Sequence, residues 1–327
     1  MIPPRLLPLL ALAAALAACG DRAGSADGGK VLRVGHFPNV THAQGLVAHA
    51  MTREGKGWFE ERLGPGVTIE WFTYNAGPSA MEAVFAGSLD LTYVGPSPAL
   101  NAFVKAKGAG IRVVAGAARG GAALVVQGDG RIAKPADFKG RRVATPQLGN
   151  TQDVACRAWL AAQGFTVTQT GGDVSVIPTQ NPDQLALFKK GDLDAVWTVE
   201  PWVSRLEREA KGRVLVEEGD TVTTVLVASA KFLQTQPELA KKFVAAHEEL
   251  TKWVGANPAE AQRLLRAELL AETRADMPQE LLAHCWPRLR FDAAIAPGAF
   301  DAFVKAAQSA GFLKDAGDLS RLIQAPR

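Results

Sequence analysis

The stretch RRVATPQLGNTQDVACR, residues 141–157, decides the fold. Its apolar start, residues 142–145, predicts a short strand, and a helix is predicted from Thr151 onward. Gly149 permits a tight turn between the two, and Asn150 or Thr151 is placed to cap the helix. The first amides of a helix have no partner within it and carry roughly half a positive charge, so this end can hold an anion without a basic side chain. An ordinary strand–helix turn has the same pattern, so this stretch alone does not indicate a function. A functional interpretation is favoured because the chain contains a second copy of the arrangement.

The chain contains this arrangement twice. From residue 31 the pattern predicts strand, helix, strand, helix and strand, and the same order returns from residue 141. The closest match between the copies is FAGSLDLTY at residues 85–93 against KKGDLDAVW at residues 189–197. Each copy also has a proline just beyond its third strand. Two βαβαβ units of this kind predict α/β architecture with parallel sheets covered on both faces.

Polar segments rich in glycine, proline and asparagine follow all six predicted strands. Ligands of such sheets bind at the carboxyl ends of the strands, so we expect these six loops, three from each unit, to face one cleft. The chain is expected to cross between the units near Arg119 and to return through residues 222–228. Helices predicted from Pro237 onward, the last of them near residues 298–311, are expected to pack around the first unit.

The first 18 residues form a separate segment. Arg5 precedes an apolar run that is too short to span a bilayer, which needs about 20 residues, but suits a signal peptide. The run ends LAACG at residues 16–20, which resembles the lipobox of bacterial lipoproteins, and this resemblance implies that Cys19 is lipidated. An ordinary signal peptide is the alternative. Residues 19–30, small, polar and glycine-rich, are expected to be a flexible tether.

Composition excludes several classes of protein. The 327 residues, 47% of them hydrophobic, are enough for two domains. Without the leader the chain has 35 basic and 33 acidic residues, a net charge of +2, with no basic run, so we expect no nucleic-acid partner. Phosphate-loop, nucleophile-elbow and zinc-protease motifs are missing. Beyond Cys19, only Cys156 and Cys285 remain; they could form one disulfide, although a buried thiol is the simpler interpretation of Cys156.

The ordered set of segments is similar to the extracytoplasmic solute-binding lipoproteins of ABC importers, of the nitrate/sulfonate/taurine type. The segments are VGHFPN at 34–39, GSLD at 87–90, GPSP at 95–98, FKGRRVA at 138–144, VEPW at 199–202 and QPEL at 236–239. The resemblance implies a type II periplasmic-binding-protein fold in which each of two lobes is a doubly wound, mostly parallel sheet, with extra C-terminal helices. We expect residues 31–118 plus 222–327 to form the first lobe and residues 119–221 the second.

The same resemblance implies a function without chemistry. Such proteins capture a small anionic solute between two lobes and deliver it to a membrane permease and its ATPase. We therefore expect a monomer without enzymatic activity, cofactor or metal, lipid-anchored in the periplasm, or at the cell surface if the organism has a single membrane. The alternatives are a pyrimidine-precursor binding protein, a biosynthetic enzyme on the same fold and a periplasmic sensor, because a fold does not name its ligand.

The candidate ligand-binding residues come from the strand ends. Asn150 and Thr151 are expected to contact an anion, and Arg119 either pairs with the anion or forms a salt bridge across the crossover. Glu200 is expected to accept a hydrogen bond from an amino group of the solute or to start a helix. The remaining candidates are His36, Phe37, Asn39, Thr41, Gly77, Ser79, Ser97, Gln147 and Trp202.

The histidines are candidate metal ligands by residue type, but their spacing limits which of them can share an ion. His42 and His49 on one helix would lie about 10 Å apart along its axis, too far to share an ion at metal–nitrogen distances near 2 Å. His36 with His42 remains geometrically possible. His247 falls in an apolar helix stripe and is expected to be a core residue, and His284 lacks neighbours in the sequence that would complete a ligand set.

Overall fold

The computed structural model describes residues 29–296 and 298–326. The predicted leader, Cys19 and most of the expected tether lie outside these residues. No helix within the described part is long and apolar enough to cross a bilayer.

The first unit and the strand after it run in the order that the sequence predicts, with two additional helices. The elements are β1 (Lys30–His36), α1 (Ala43–Arg53), α2 (Trp58–Leu63), β2 (Val67–Thr73), α3 (Gly77–Phe85), β3 (Leu91–Val94), α4 (Pro96–Lys105) and β4 (Ile111–Gly120). A short 3-10 turn, Val40–His42, precedes α1. Residues 95–98 were expected only to end β3, but they also start α4. Pro96 occupies the first position of this helix, where proline is well tolerated.

The second unit repeats this order. Its elements are β5 (Ala122–Val126), β6 (Arg142–Thr145), α5 (Thr151–Ala162), β7 (Ser175–Pro178), α6 (Asn181–Lys190), β8 (Ala195–Val199), α7 (Trp202–Ala210) and β9 (Arg213–Glu218). The remaining elements are β10 (Val222–Ser229), α8 (Ala230–Thr235), α9 (Pro237–Ala256), α10 (Pro258–Thr273), α11 (Gln279–Cys285), β11 (Leu289–Phe291) and α12 (Asp301–Ser309).

The strands form two sheets, one for each lobe. The six-stranded first sheet has the order β11-β4-β10-β3-β1-β2, and the five-stranded second sheet has the order β7-β6-β8-β5-β9. In each sheet the three strands of the repeated unit are parallel. The crossover strands β4, β5, β9 and β10 pair antiparallel. The expected parallel arrangement thus holds for the repeated units, while each whole sheet is mixed because the chain crosses between lobes twice.

Both sheets are buried on both faces. Along β10, Leu226 and Ala228 belong to one apolar cluster, while Val225 and Val227 belong to another on the opposite face. The residues of β5 alternate in the same way between the two clusters of the second lobe. This period of two, apolar on both sides, is the pattern of a sheet covered by helices on each face.

The crossover between lobes is short. β4 extends to Gly120, and β5 begins at Ala122. Gly120 and Gly121 have φ angles of +73° and +70°, which non-glycine residues rarely adopt. A Cβ atom at Gly120 would also lie 2.3 Å from the carbonyl oxygen of Arg288. The paired glycines therefore allow the chain to leave one sheet and enter the next within two residues.

The last helix departs from the expectation. α12 was expected to pack around the first lobe, but it packs against both α4 of the first lobe and α5 of the second. Phe303 and Ala307 of α12 share one apolar cluster with Phe103 of α4 and Val154 of α5. Hydrophobic periodicity identified the helix but could not show that its apolar face covers both lobes.

Candidate functional site

A cleft between the lobes collects the carboxyl ends of strands from both sheets. The empty space among its lining residues is about 370 Å³, including the part open to solvent. The lining residues are Phe37, Asn39, Thr41, His42, Asn75, Ala76, Gly77, Gly95, Pro98, Pro146, Asn150, Thr151, Gln152, Asn181, Val199 and Thr223.

Five helical starts meet at this cleft. The first lobe contributes the 3-10 turn before α1, together with the starts of α3 at Gly77 and α4 at Gly95. The second contributes the starts of α5 at Thr151 and α6 at Asn181. Because the first amides of a helix lack partners within the helix, this arrangement points backbone donors and positive dipole ends into one space.

The helix starts differ in how their amides are used. Asn150 Oδ1 accepts a hydrogen bond of 2.8 Å from the amide of Asp153, which caps α5. The carboxylate of Asp153 in turn accepts from the amide of Gly149 at 2.9 Å and is paired with buried Arg157. Among the described residues, α3, α4 and α6 start without a side-chain cap. Prolines at positions 96 and 98 have no N–H, and the one amide between them, that of Ser97, donates to Thr151 Oγ1, so α4 offers no free amide in its first turn. The first amides of α3 and α6 are therefore the freer donors toward a ligand.

Six of the predicted site residues line the cleft together: Phe37, Asn39, Thr41, Gly77, Asn150 and Thr151. Two others lie at its edge. The amide of Ser97, in the first turn of α4, donates to Thr151 Oγ1 at 3.3 Å. Trp202 Nε1 donates to Asn39 Oδ1 at 3.1 Å. Both contacts join the first lobe to the second.

The other predicted residues are placed elsewhere. Ser79 Oγ donates to the carbonyl of Ala76 within α3. Gln147 is not among the residues lining the cleft, and His36 lies in a buried cluster away from it. Arg119 also lies outside this set: Nη1 donates to the carbonyl of Asp220 at 2.9 Å, so the guanidinium contacts the return crossing. This placement matches the crossover alternative rather than contact with an anion.

Glu200 is fully buried and is held by protein groups. It accepts hydrogen bonds from the amide of Ser204 at 3.0 Å, from the Ser204 hydroxyl at 2.9 Å and from Arg288 Nη1 at 2.9 Å. Burial raises the pKa of Glu200, and these donors oppose that rise. The carboxylate thus occupies the start of α7, as the alternative interpretation of Glu200 expected.

Arg288 forms ion pairs between the lobes that the sequence analysis did not predict. We call Arg288 and its partners Glu200, Glu207 and Glu217 the ionic latch. Arg288 follows α11, next to the strand β11 of the first sheet, and its three glutamate partners belong to the second lobe. Its nitrogens lie 2.9 Å from Glu200, 2.7 Å from Glu207 and 3.3 Å from Glu217. Because these partners lie more than 70 residues away in the chain, no local pattern indicated the pairing.

Electrostatics of the cleft come from dipoles rather than from basic side chains. None of the described residues that line it is lysine or arginine. Burial, and secondly the nearby His36, lower the pKa of His42 well below 6.5, so its ring is neutral at pH 7. The ring of Phe37 stacks on His42 with centroids 4.2 Å apart. His42 Nδ1 is buried without a hydrogen-bond partner in the part of the protein that the structure describes.

The lobes touch directly where α4 meets α5. A Cβ atom at Gly95 would lie 2.3 Å from Thr151 Oγ1. The amide of Val40 also donates to the carbonyl oxygen of Glu200 at 3.0 Å. The cleft is therefore narrow, and side chains of both lobes meet across it.

Several lining residues were not predicted, although their loops were. Asn75 and Ala76 precede Gly77, Gly95 precedes Ser97, and Asn181 follows β7 in the position that Gly77 has after β2. The sequence indicated these positions only by their place at the end of a predicted strand. That signal identifies a loop but not which of its side chains faces the cleft. Thr223 at the start of β10 gave no such signal.

Cys156 and Cys285 are both free and buried. Burial raises the pKa of each thiol. The two cysteines therefore do not form the disulfide that the sequence left open, and both act as small apolar core residues.

Two α/β lobes joined by paired crossings around one cleft define the periplasmic-binding-protein fold. Solved structures confirm this fold. The alkanesulfonate-binding protein SsuA from Xanthomonas axonopodis pv. citri, bound to MOPS, superposes with a TM-score of 0.72 at 19% identity, covering 90% of this chain and 98% of that one. The periplasmic aliphatic sulphonate binding protein SsuA from Escherichia coli superposes with a TM-score of 0.68 at 22% identity, covering 90% and 97%.

The chain belongs to the NMT1-like family, whose profile matches residues 26–271. It is 27% identical over 199 residues to the taurine-binding periplasmic protein of Escherichia coli K12, a match that covers 59% of each chain. It is 25% identical over 259 residues to a putative aliphatic sulfonates-binding protein of Bacillus subtilis 168, covering 76% of this chain and 73% of the relative. The resemblance to binding proteins of the nitrate/sulfonate/taurine type is thereby confirmed.

Proposed function

We propose that this protein is the solute-binding component of an ABC importer and that it captures a small anionic solute between its lobes. The observation that carries the proposal is the convergence of five helical starts from both lobes on one small cleft. Relatives named as taurine-, sulfonate- and nitrate-binding proteins support the class of solute. An aliphatic sulfonate, taurine and nitrate are the solutes to test first.

Backbone amides supply the recognition of the anion. The uncapped starts of α3 in the first lobe and α6 in the second line the same cleft, so an anion can accept hydrogen bonds from both lobes at once. His42 Nδ1, which has no hydrogen-bond partner among residues 29–296 and 298–326, and the hydroxyl of Thr41 are further groups that a solute can engage. A sulfonate or nitrate has several acceptor oxygens and suits such a site.

Closure of the lobes holds the solute and presents it to the permease. The contacts between Thr151 and Ser97 and between Trp202 and Asn39 join the lobes only when the cleft is narrow. A solute bridging the same helix starts adds to these contacts and favours the closed state. Loss of the solute to the permease then accompanies opening. We place the lobe boundaries where the sequence analysis expected them, near residues 118 and 222.

The location follows from the leader and from the relatives. We propose that residues 1–18 direct export and that Cys19 receives lipid, so that residues 19–30 tether a monomer to the membrane beside the permease and its ATPase. Relatives described as periplasmic support an extracytoplasmic site of action. Mass spectrometry of the protein purified from membranes tests the anchor, since a diacylated N-terminal cysteine adds a mass that an ordinary cleaved signal peptide does not.

Calorimetric titration tests the function. Taurine, ethanesulfonate and nitrate are titrated into the protein beside uncharged aminopyrimidines. Thr151→Val removes one hydroxyl from the cleft and is expected to weaken the bound anion by about tenfold, the effect of one net hydrogen bond. Arg119→Ala is the control, because that side chain lies outside the cleft and its removal leaves affinity unchanged.

Three results contradict the proposal. Binding of aminopyrimidines without any anion would show that the solute class is wrong. An equal loss of affinity in both variants would show that the solute binds elsewhere. Recovery of a chemically altered solute after heat release, measured by mass spectrometry, would indicate an enzyme.

A further inference from the structure

A cluster of two histidines and one glutamate lies in the first lobe, where three elements meet. His36 ends β1, His49 lies on α1 and Glu272 lies near the end of α10. His36 Nε2 is 3.1 Å from His49 Nδ1 and 3.1 Å from Glu272 Oε1, and the latter two atoms are 3.2 Å apart. The three atoms therefore form a nearly equilateral triangle.

We propose that His36, His49 and Glu272 bind one divalent transition-metal ion, for which zinc is the best match. Zinc takes imidazole nitrogen and carboxylate oxygen at about 2.0–2.1 Å in a tetrahedral arrangement. Neighbouring ligands of such a tetrahedron lie about 3.3 Å apart, close to each side of the observed triangle. The fourth position would remain for water or for a further carboxylate.

Hydrogen bonds alone fit this triangle less well. Each imidazole nitrogen carries at most one proton, and that proton points along one direction in the plane of the ring. His36 Nδ1 lies 3.5 Å from the carbonyl oxygen of Phe37, so in the tautomer with its proton on Nδ1 the ring donates there and directs the lone pair of Nε2 toward the cluster. A single cation above the triangle accepts all three lone pairs at once.

The surroundings of the triangle also favour a cation. Glu268 Oε1 lies 2.9 Å from the same His49 Nδ1, so a second carboxylate adjoins the site. Arg53 is paired with Glu268 and balances one of the two negative charges, while the other remains on Glu272. Glu272 Oε2 is buried and has no hydrogen-bond partner among the described residues.

The ligands are held in place by neighbours. The hydroxyl of Thr73 donates to Glu272 Oε1 at 2.9 Å. The ring of His49 stacks on Trp71, with centroids 5.3 Å apart and planes within 16°. His36 is fully buried and His49 is 12% exposed at its side chain, which leaves an approach from the surface beside α1. Oriented ligands of this kind are typical of metal sites.

A metal here would bind apart from the solute. His36 itself does not line the cleft, although its neighbour Phe37 does. The ion would join α10 to β1 and α1, contacts that otherwise depend on this cluster and on apolar packing. The proposal therefore does not rest on the identity of the solute, and failure of anion binding would leave it unaffected.

The test uses untagged full-length protein after treatment with a chelator. Titration with zinc chloride in a calorimeter is expected to show one ion bound per chain and to raise the melting temperature. Cobalt(II) substituted for zinc is expected to give the intense visible bands of tetrahedral nitrogen and oxygen coordination. Absence of zinc binding, or a cobalt spectrum equal to that of the hydrated ion, would overturn the proposal and leave a hydrogen-bonded cluster.

Variants locate the ion. His49→Gln and Glu272→Gln are each expected to weaken zinc binding by more than about 100-fold, because loss of a ligand exceeds the roughly 10–100-fold effect typical of outer partners. His284→Gln is the matched control, since this partly exposed histidine also pairs with a glutamate, Glu207, but lies outside the cluster. Equal affinity in site and control variants would overturn the assignment. If a site variant fails to fold, cobalt bands that titrate to one ion per wild-type chain decide the question.

Discussion

The two repeated units have the same frame but use their helix starts differently. In both, the third strand pairs with the first through one aspartate. Asp90 Oδ2 accepts from the amide of Arg33 at 3.0 Å, and Asp194 Oδ2 accepts from the amide of Arg142 at 2.9 Å. In each unit the amide of the aspartate donates back to the same arginine's carbonyl oxygen at 2.9 Å. The repeat thus preserves a contact that sets strand register.

The difference lies at the carboxyl ends of the strands. α3 and α6 begin at the cleft without a side-chain cap. The amide of Ser97 at the start of α4 donates to Thr151 Oγ1 of the other lobe, and the start of its counterpart α7 is occupied by the buried carboxylate of Glu200. α5 is likewise capped by Asn150. One fold therefore yields ends that are free for a ligand and ends that are satisfied by the protein, and the side chain at each cap decides which.

The first lobe also carries helices that the second lacks. α9, α10 and α11 cover one face of the first sheet and bring His247 into its core. Residues 122–218, which span the second lobe, contain no histidine. The two lobes are therefore expected to respond differently to acid.

The largest expected effect comes from removing the latch between the lobes. Arg288→Ala leaves Glu200 buried without its cation and is expected to lower the free energy of unfolding by about 3–5 kcal/mol. Urea denaturation measures this change. Arg290→Ala is the control, since among the described residues that exposed side chain pairs with exposed Asp220 alone, and about 0.5 kcal/mol or less is expected. Equal losses would mean that Glu200 is stabilised by Ser204 alone.

Acid is expected to weaken the first lobe through His247. Its Nε2 donates to the carbonyl of Gly116 at 2.7 Å and its Nδ1 accepts from Tyr93 at 3.0 Å, so the buried ring is neutral. Burial lowers the pKa of His247 from 6.5 to about 4. As the pH falls below 6.5 the unfolded chain takes up the proton first, so stability present above pH 6.5 is lost progressively toward pH 4.

The expected loss is about 3 kcal/mol over that interval, from the size of the pKa difference. Denaturation curves at pH 7, 5.5 and 4 measure it for the wild type and for His247→Gln. The variant lacks this titration, and its stability is expected to fall less over the same range. Parallel pH profiles for the two proteins would contradict the assignment.

Removing either register aspartate tests whether the two units are equivalent. Asp90→Ala and Asp194→Ala each leave a strand amide without its acceptor, which is expected to cost about 1–3 kcal/mol. The two losses are expected to agree within about 1 kcal/mol. Asp192→Ala, an exposed position in the same turn as Asp194, is the control. A loss at only one of the two aspartates would show that the shared sequence pattern no longer has a shared role.

The smallest effect concerns the helix caps. Asn150→Ala removes the cap of α5 and is expected to cost about 1 kcal/mol of stability. Gln180→Ala, at the uncapped start of α6, is expected to change stability by a few tenths of a kcal/mol at most. Thermal unfolding of both variants without solute makes the comparison. If Gln180→Ala lost more stability than Asn150→Ala, the assignment of α5 as capped and α6 as uncapped would be wrong.

Local periodicity explains how far the sequence predicts this structure. The repeated strands and helices were predicted because each has its own apolar pattern and punctuation by glycine and proline. The short strand β11 and the position of α12 depend on packing against distant parts of the chain. Their sequences alone contain no signal for that packing.

The same limit applies to the site. Asn150 and Thr151 were predicted because a cap and a strand end are local features. Arg288 was missed because its glutamate partners lie up to 88 residues away, and Glu272 was missed because His49 lies 223 residues away. Arg119 was singled out as the charge at the crossover, and it lies there: its Nη1 donates to the carbonyl of Asp220 and lies 3.7 Å from the carboxylate of the same residue.

The two crossings between the lobes run side by side, and the amide of Gly120 in one donates to the carbonyl oxygen of Thr221 in the other at 2.9 Å. A pair of linked strands resists shear and twist but bends easily about a line drawn through both. We therefore expect the lobes to open mainly by rotation about this line. One distance, measured between a label on each lobe at the edge of the cleft, would then report the whole opening movement.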